Sequence, residues 1–365
     1  MKKNQILKIY GTDFKKNTLR LLETADLKAH LSGTDQRIGI KPNLVSESEA
    51  SYGATTHPEI IAGIIEYLQT YGYHNLTILE GSWVGSKTAD AFAICGYNDL
   101  AEKYGVRLVD TQKDSSHKKD CAGMQLSVCD SVDEIEFLIN VPVLKGHCQT
   151  KMTCALKNLK GLIPNSEKRR FHSLGLHKPI AHLAAGILQD FIVVDHICGD
   201  LDFEDGGNPV VRNWILAGRD PVLIDAWGCR ELKYRPKDVP YLTMAEKLGV
   251  GSLDLDNAQI INLSDTDTGE LPLSRKVVLV EDAVEEVESC SACYGYLIPA
   301  LDRLREEGLL DAFTEKICIG QGFREKSGAI GIGNCTKNFE YYVPGCPPTE
   351  SEIYGGLKEY LGKKQ

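Results

Sequence analysis

At 365 residues the chain is long enough to bury a large core and, at the usual domain size, to fold as two or three units; 42% hydrophobic and 25% charged residues are ordinary for a globular protein. A formal charge of -10 disfavours a nucleic-acid binder, no stretch approaches the ~18 apolar residues of a membrane span, and the opening MKKNQILKIYGTDFKK lacks the apolar run of a signal peptide. Twelve cysteines in such a chain point to metal-binding or reactive thiols in a reducing cytoplasm.

In chain order, residues 37–42 (RIGIKP) read as a first strand that delivers Lys41 and Asn43 to its carboxyl end. His57-Pro58-Glu59 opens a helix with proline in its first turn, Ile60, Ile61, Ile64, Ile65 and Leu68 form its apolar stripe, and Gly72 stops it. Residues 76–79 read as the next strand, 89–104 as a helix and 107–109 as another strand. This alternation predicts an α/β fold, a mostly parallel sheet with flanking helices, in which ligands gather beyond the carboxyl ends of the strands. Neither G-x-G-x-x-G nor G-x-x-x-x-G-K-[ST] follows any of these strands, so the usual dinucleotide and P-loop sites are not supported.

Residues 137–144 (FLINVPVL) read as a buried strand with Pro142 near an end, and they lead into KGHCQTKMTCALKNLKG at 145–161. From about Gln149 the period turns helical: Met152, Leu156 and Leu159 share a core-facing side, Lys151 and Asn158 a second, Thr153, Lys157 and Lys160 a third. Lys145 and His147 would stand at the carboxyl end of the strand, beside Lys41 and the exposed N–H groups of a helix start. The expectation is a basic crevice that binds a small anion, with a solvated basic helix face as the bland alternative.

Further on, Arg169 and Arg170 are expected in a loop after Pro164, where they could clamp a carboxylate or phosphate. Lys145, His147 and His172 are the catalytic candidates, the histidines for proton transfer near neutrality; Lys41, Asn43, Lys151, Lys157, Asn158, Lys160, Arg169 and Arg170 are the anion-binding ones. His182 reads as a core or capping histidine. GDLDFEDGGNP, with Asp200, Asp202, Glu204 and Asp205, half resembles a calcium loop, but Gly206 comes one place late and no glutamate closes it, so an acidic surface turn is the stronger reading. Strand and helix follow at 215–218 and 222–229, with Asp225 inside the helix as a site residue or cap.

The carboxyl-terminal part carries Cys290-Ser-Ala-Cys293, then Cys335 in GIGNC and Cys346 in PGCPP. Each lies at a turn rich in glycine or proline, between a helix predicted at 296–310 and strands at 317–319 and 329–332. Four thiolates from loops suit a [4Fe-4S] cluster or a structural Zn; the proline after the last cysteine and the nearby Gly331 and Gly333 favour iron and sulfur. Cys318 reads as a buried thiol, and Cys148 and Cys154 stand beside the lysines of the central stretch.

With KPN at 41–43, THPE at 56–59, the NVPVLKGH and ALKNLKG blocks and GRDPVLIDAWG at 218–228, residues 36–235 resemble the DUF362 family, whose members are often associated with iron-sulfur binding. GDLDFEDGGNP departs from the family's glycine-rich segment ending in G-P, and the spread cysteine pattern departs from its ferredoxin-type appendages. GCPP is locally similar to the last cluster ligand of hydrogenase small subunits, and the architecture is distantly similar to that of nickel-pincer lactate racemases. The expected organisation is an α/β domain with the basic crevice at 1–235, a connecting region at 236–288 and a smaller α/β cysteine-rich cluster domain at 289–365. The expected function is a cytoplasmic iron-sulfur protein, a redox enzyme acting on a small anionic substrate or serving a redox partner protein. The alternatives are a zinc-stapled protein that binds or isomerises a carboxylate or phosphate, and an electron-transfer module without its own substrate.

Overall fold

The computed structural model describes residues 1–204, 206–266, 269 and 276–364. The chain first supplies β1 (Gln5–Tyr10), β2 (Ile38–Lys41), β3 (Leu76–Glu80) and β4 (Arg107–Asp110). A hairpin of β5 (Ser116–Cys121) and β6 (Met124–Cys129) leads to β7 (Phe137–Asn140), and a second hairpin follows, β8 (Lys145–His147) with β9 (Lys151–Thr153). The long antiparallel pair β10 (Phe191–Asp200) and β11 (Pro209–Gly218) comes next, then β12 (Gln259–Asn262). Eight of these strands form one sheet in the order β12-β1-β11-β10-β7-β2-β3-β4, parallel except that β11 opposes both neighbours.

The central strands IGIK, LTILE and FLIN are buried at every position, as a sheet covered on both faces requires. On one face Leu21, Leu22, Ile60, Ile61, Ile64 and Ile65 pack from the helices Phe14–Ala25 and Pro58–Thr70. On the other, Leu156, Leu159, Ile180, Leu183, Leu223 and Ile224 form the second core. Each such side chain contributes about 1.5–3 kcal/mol on leaving water, so the two layers dominate the stability of this unit. The helix expected at 89–104 is two helices, Thr88–Ile94 and Tyr97–Tyr104, because Gly96 takes φ +77 between them. The stretch 236–288 is more than a connection: the helix Pro240–Lys247 buries Tyr241, Leu242 and Ala245 in the second core, and β12 extends the large sheet.

A smaller parallel sheet of β13 (Val284–Glu286), β14 (Ile317–Ile319), β15 (Ile330–Ile332) and β16 (Tyr341–Val343) lies in that order. The helices Ser291–Glu306 and Glu350–Lys364 cover it, with Leu297, Ile298, Leu301, Ile353 and Leu357 over Ile317, Ile319 and Ile330. Phe203 and Cys148, from the larger unit, pack into this third core. No helix among the described residues is long and apolar enough to cross a membrane.

Candidate functional site: a basic cavity beside four cysteines

The helical period from Gln149 does not hold. Residues 145–153 form the β8–β9 hairpin, and only Ala155–Asn158 is α-helical before a tighter turn at Leu159–Leu162. The turn is fixed locally: His147 Nδ1 accepts from the N–H groups of Gln149 (3.0 Å) and Thr150 (3.1 Å), and Lys151 sits at φ +68. Gly146 fits because any Cβ there would collide with the Leu201 carbonyl, which places the hairpin against the loop 201–209. Asp225, from the helix Pro221–Glu231, caps the short helix by accepting from the N–H groups of Ala155 (2.6 Å) and Leu156 (3.1 Å). Burial raises its carboxyl to about 7.

Two buried carboxylates absent from the site expectations organise the cations. Glu80, at the carboxyl end of β3, accepts from Lys41 Nζ and from the N–H of Leu44, both at 2.8 Å. Glu204 bridges Lys157 Nζ at 2.5 Å and His147 Nε2 at 2.8 Å. Since His147 Nδ1 accepts two N–H groups, its proton is assigned to Nε2, the ring nitrogen that lies 2.8 Å from Glu204. Burial lowers His147 to about 4, so it is a neutral linker and not the expected proton donor. Lys145, the other catalytic candidate from the hairpin, is fully buried and donates to the carbonyls of Ala54 (2.7 Å) and Glu204 (2.6 Å).

Between these pairs and the carboxyl-terminal unit lies a cavity of about 70 Å³, lined among others by Asn43, Trp83, Thr153, Lys157, Asn158 and Lys160, and by Lys168, His172 and Cys290. Of the expected residues it gathers Asn43, Lys157, Asn158, Lys160 and His172. Lys41 and Lys145 are fully buried and do not line it. Lys151 points away, 5.5 Å over the Tyr234 ring. Arg169 and Arg170 lie in the helix Asn165–Ser173 and not in a loop; Arg170 turns outward to Glu167 and the Gln125 carbonyl. Lys168 of that helix, missed by the sequence reading, donates to the carbonyls of Gly81 (3.0 Å) and Ser82 (2.7 Å), and burial lowers it to about 8. Burial, with Lys157 alongside, brings Lys160 down to about 7. Burial also pushes His172 well below its usual value, so its imidazole is neutral. Gly161 lets the chain cross this floor: a Cβ there would run into the Glu80 carboxylate and lie 2.6 Å from Lys41 Nζ.

The acidic side chains Asp200, Asp202 and Glu204 are buried rather than on a surface turn, and among the described residues they converge on no metal-ligand arrangement. Asp200 accepts from the N–H groups of Asp202, Phe203 and Asn208, each at 2.8 Å, Asp202 from that of Lys276, and Glu204 turns inward. Asp205 lies outside the described residues. His182 bonds the Cys121 carbonyl at 2.9 Å. Cys154 is buried near Asp225, and Cys318 is half-buried beside Glu285, not fully buried as expected.

Cys290 caps the helix Ser291–Glu306, Cys293 falls in its first turn, Cys335 follows β15 and Cys346 follows β16. All four therefore sit beyond the carboxyl edge of the small parallel sheet. Burial raises the Cys293 thiol far above its usual value, and the charges of Cys290, Cys346 and Cys335 push it further. Its sulfur lies 3.9 Å from where a Cβ on Gly333 would stand, so glycine there, at φ +81, keeps the space beside the sulfur open. Arg324 and Arg169 lie near enough for their charges to favour the thiolates, Arg324 that of Cys335 and Arg169 those of Cys290 and Cys293. Among the described residues no three His, Cys, Asp or Glu side chains converge on one point as the ligands of a single metal ion. Gln149 joins the two units, its amide donating to Ser289 Oγ (3.0 Å) and its carbonyl accepting from Ser291 Oγ (3.2 Å).

The fold and site define an α/β protein whose parallel strands carry a buried, cation-rich cavity at their carboxyl ends. It belongs to the family described as Domain of unknown function (DUF362), whose model matches residues 38–230. The chain is 22% identical over 221 residues to a thylakoid-associated protein of Synechocystis sp., covering 59% of this chain and 68% of that one. A lactate racemase apoprotein from Thermoanaerobacterium thermosaccharolyticum superimposes with a TM-score of 0.41 at 15% identity, over 63% of this chain and 58% of that structure.

Proposed function

We propose that this protein is an iron-sulfur redox enzyme of a reducing cytoplasm, with a [4Fe-4S] cluster held by Cys290, Cys293, Cys335 and Cys346 and a small anion bound in the adjoining cavity. The observation that carries the reading is the shared wall: Cys290 lines the same cavity as Lys157, Lys160 and Lys168. The donor set fits the group. The four thiols, from a helix start and the segments after two strands, feel one another's charge, and Arg169 and Arg324 offset the negative charge that four thiolates would bring. The cluster would supply single electrons, received from a one-electron carrier protein.

The chain's own part is binding and exclusion. Lys160 attracts the anion, Trp83, Val84 and Ala292 wall it from water, and His172 offers a ring N–H. Cys335→Ala should abolish the visible absorption of protein purified without oxygen. In the wild type, a small carboxylate should perturb the electron paramagnetic resonance of the dithionite-reduced sample. Intact absorption in Cys335→Ala would exclude that ligand. An unperturbed resonance at saturating anion would separate cavity from cluster and leave a pure electron-transfer module.

A further inference from the structure

We infer that the cavity is built for a small carboxylate carrying a hydroxyl or ammonium hydrogen-bond donor on the neighbouring carbon, held at one end by Lys160 and at the other by Asn43. This deepens the anion-binding half of the proposed function and rests on it, not on the cluster.

The charges come first. Lys41 pairs with Glu80, Lys157 pairs with Glu204, and Lys168 is taken up by two backbone carbonyls. Lys160 lines the same cavity, keeps part of its surface open, and has no hydrogen-bond or ion-pair partner among the described residues. Lys160 is therefore the cation whose donors remain for an anion, with the charge of Lys168 beside it.

The unsatisfied polar atoms then shape the rest of the ligand. Asn43 Oδ1, Thr153 Oγ and His172 Nδ1 are buried without a partner, on side chains that are 6%, 2% and 7% exposed and that all line the cavity. His172 Nε2 accepts the N–H of Ser291 at 3.3 Å, so the ring proton is assigned to Nδ1, which becomes a donor. Lys160, His172 and Thr153 thus offer three donors, enough for the oxygens of a carboxylate. Asn43 Oδ1 offers only an acceptor. An unsubstituted carboxylate would leave it unpaired at a cost of about 1–3 kcal/mol, and an adjacent O–H or N–H would satisfy it. A volume of about 70 Å³ holds several water-sized groups, so the acid is short.

The test is calorimetric titration of the full-length protein, purified without oxygen, with glycolate, glycine, acetate and inorganic phosphate at one ionic strength. Glycolate or glycine should bind about tenfold or more tightly than acetate. Asn43→Ala should erase the preference over acetate, and Lys160→Gln should weaken glycolate and acetate alike. Acetate equal to both glycolate and glycine in the wild type, phosphate binding tightest, or no saturable binding would overturn the inference without recourse to any variant. Iron and sulfide measured on the same samples separate the two readings. Discrimination without iron would end the cluster reading and leave the ligand class standing, and a full cluster without discrimination would do the reverse.

Discussion

Replacing Glu204 by glutamine keeps the shape of the bridge and deletes the charge that Lys157 and His147 share. Glu204 is 6% exposed and Lys157 4%, so bulk solvent does little to screen the orphaned ammonium. Breaking a buried pair from one side costs about 3–5 kcal/mol. The expected loss is therefore about 3–5 kcal/mol. Pairing the change with Lys157→Met removes the stranded charge and should recover at least half of it, a coupling of about 2 kcal/mol. Urea unfolding followed by tryptophan fluorescence reads this directly, since Trp83, Trp214 and Trp227 all belong to the larger unit. A Glu204→Gln cost below about 1 kcal/mol, or strict additivity in the double variant, would show that the bridge does not hold the cavity wall.

His57 offers a test by pH. Burial opposes its charge, but Asp195, which accepts from both the His57 backbone N–H and Nδ1 at 2.8 Å, outweighs burial and raises it. Its stabilisation is then fully present below the unfolded value of ~6.5 and is lost as pH rises through the folded one. The stability gap between wild type and His57→Gln should be widest near pH 5.5 and shrink above neutrality; a gap that widens with pH would reverse the assignment. Gly161→Ala drives a methyl into the Glu80 carboxylate and should cost about 1–3 kcal/mol by overpacking, read as a lower urea midpoint. A neutral result would mean that the Lys41–Glu80 pair yields freely.

The sheet was legible because its strands alternate with helices whose apolar stripes keep a 3.6 period, as Ile60, Ile61, Ile64, Ile65 and Leu68 do. The central stretch misled for a physical reason. Met152, Leu156 and Leu159 are all fully buried, and burial at i, i+4 and i+7 is met equally by a strand that turns into a short helix. The β8–β9 turn is set by His147 accepting two N–H groups, which no periodicity records. Lysines announced a basic site, but their partners did not: Glu80 is 39 positions from Lys41, and Glu204 is 47 from Lys157. That distance decides which cation is left free, so Lys160 could not be told from Lys145 or Lys151 by composition. Lys168 and Thr153 went unassigned because neither residue type in a helix or strand marks a cavity. A Glu in the notional calcium loop was the available signal for Glu204, read there as a surface turn.

Iron, acid-labile sulfide and zinc content of protein purified without oxygen, with a visible spectrum before and after dithionite, tests the central claim most directly. The account predicts about four irons and four sulfides per chain and absorption that bleaches on reduction. One zinc per chain without visible absorption would contradict it, and would leave a zinc-stapled protein with an anion cavity.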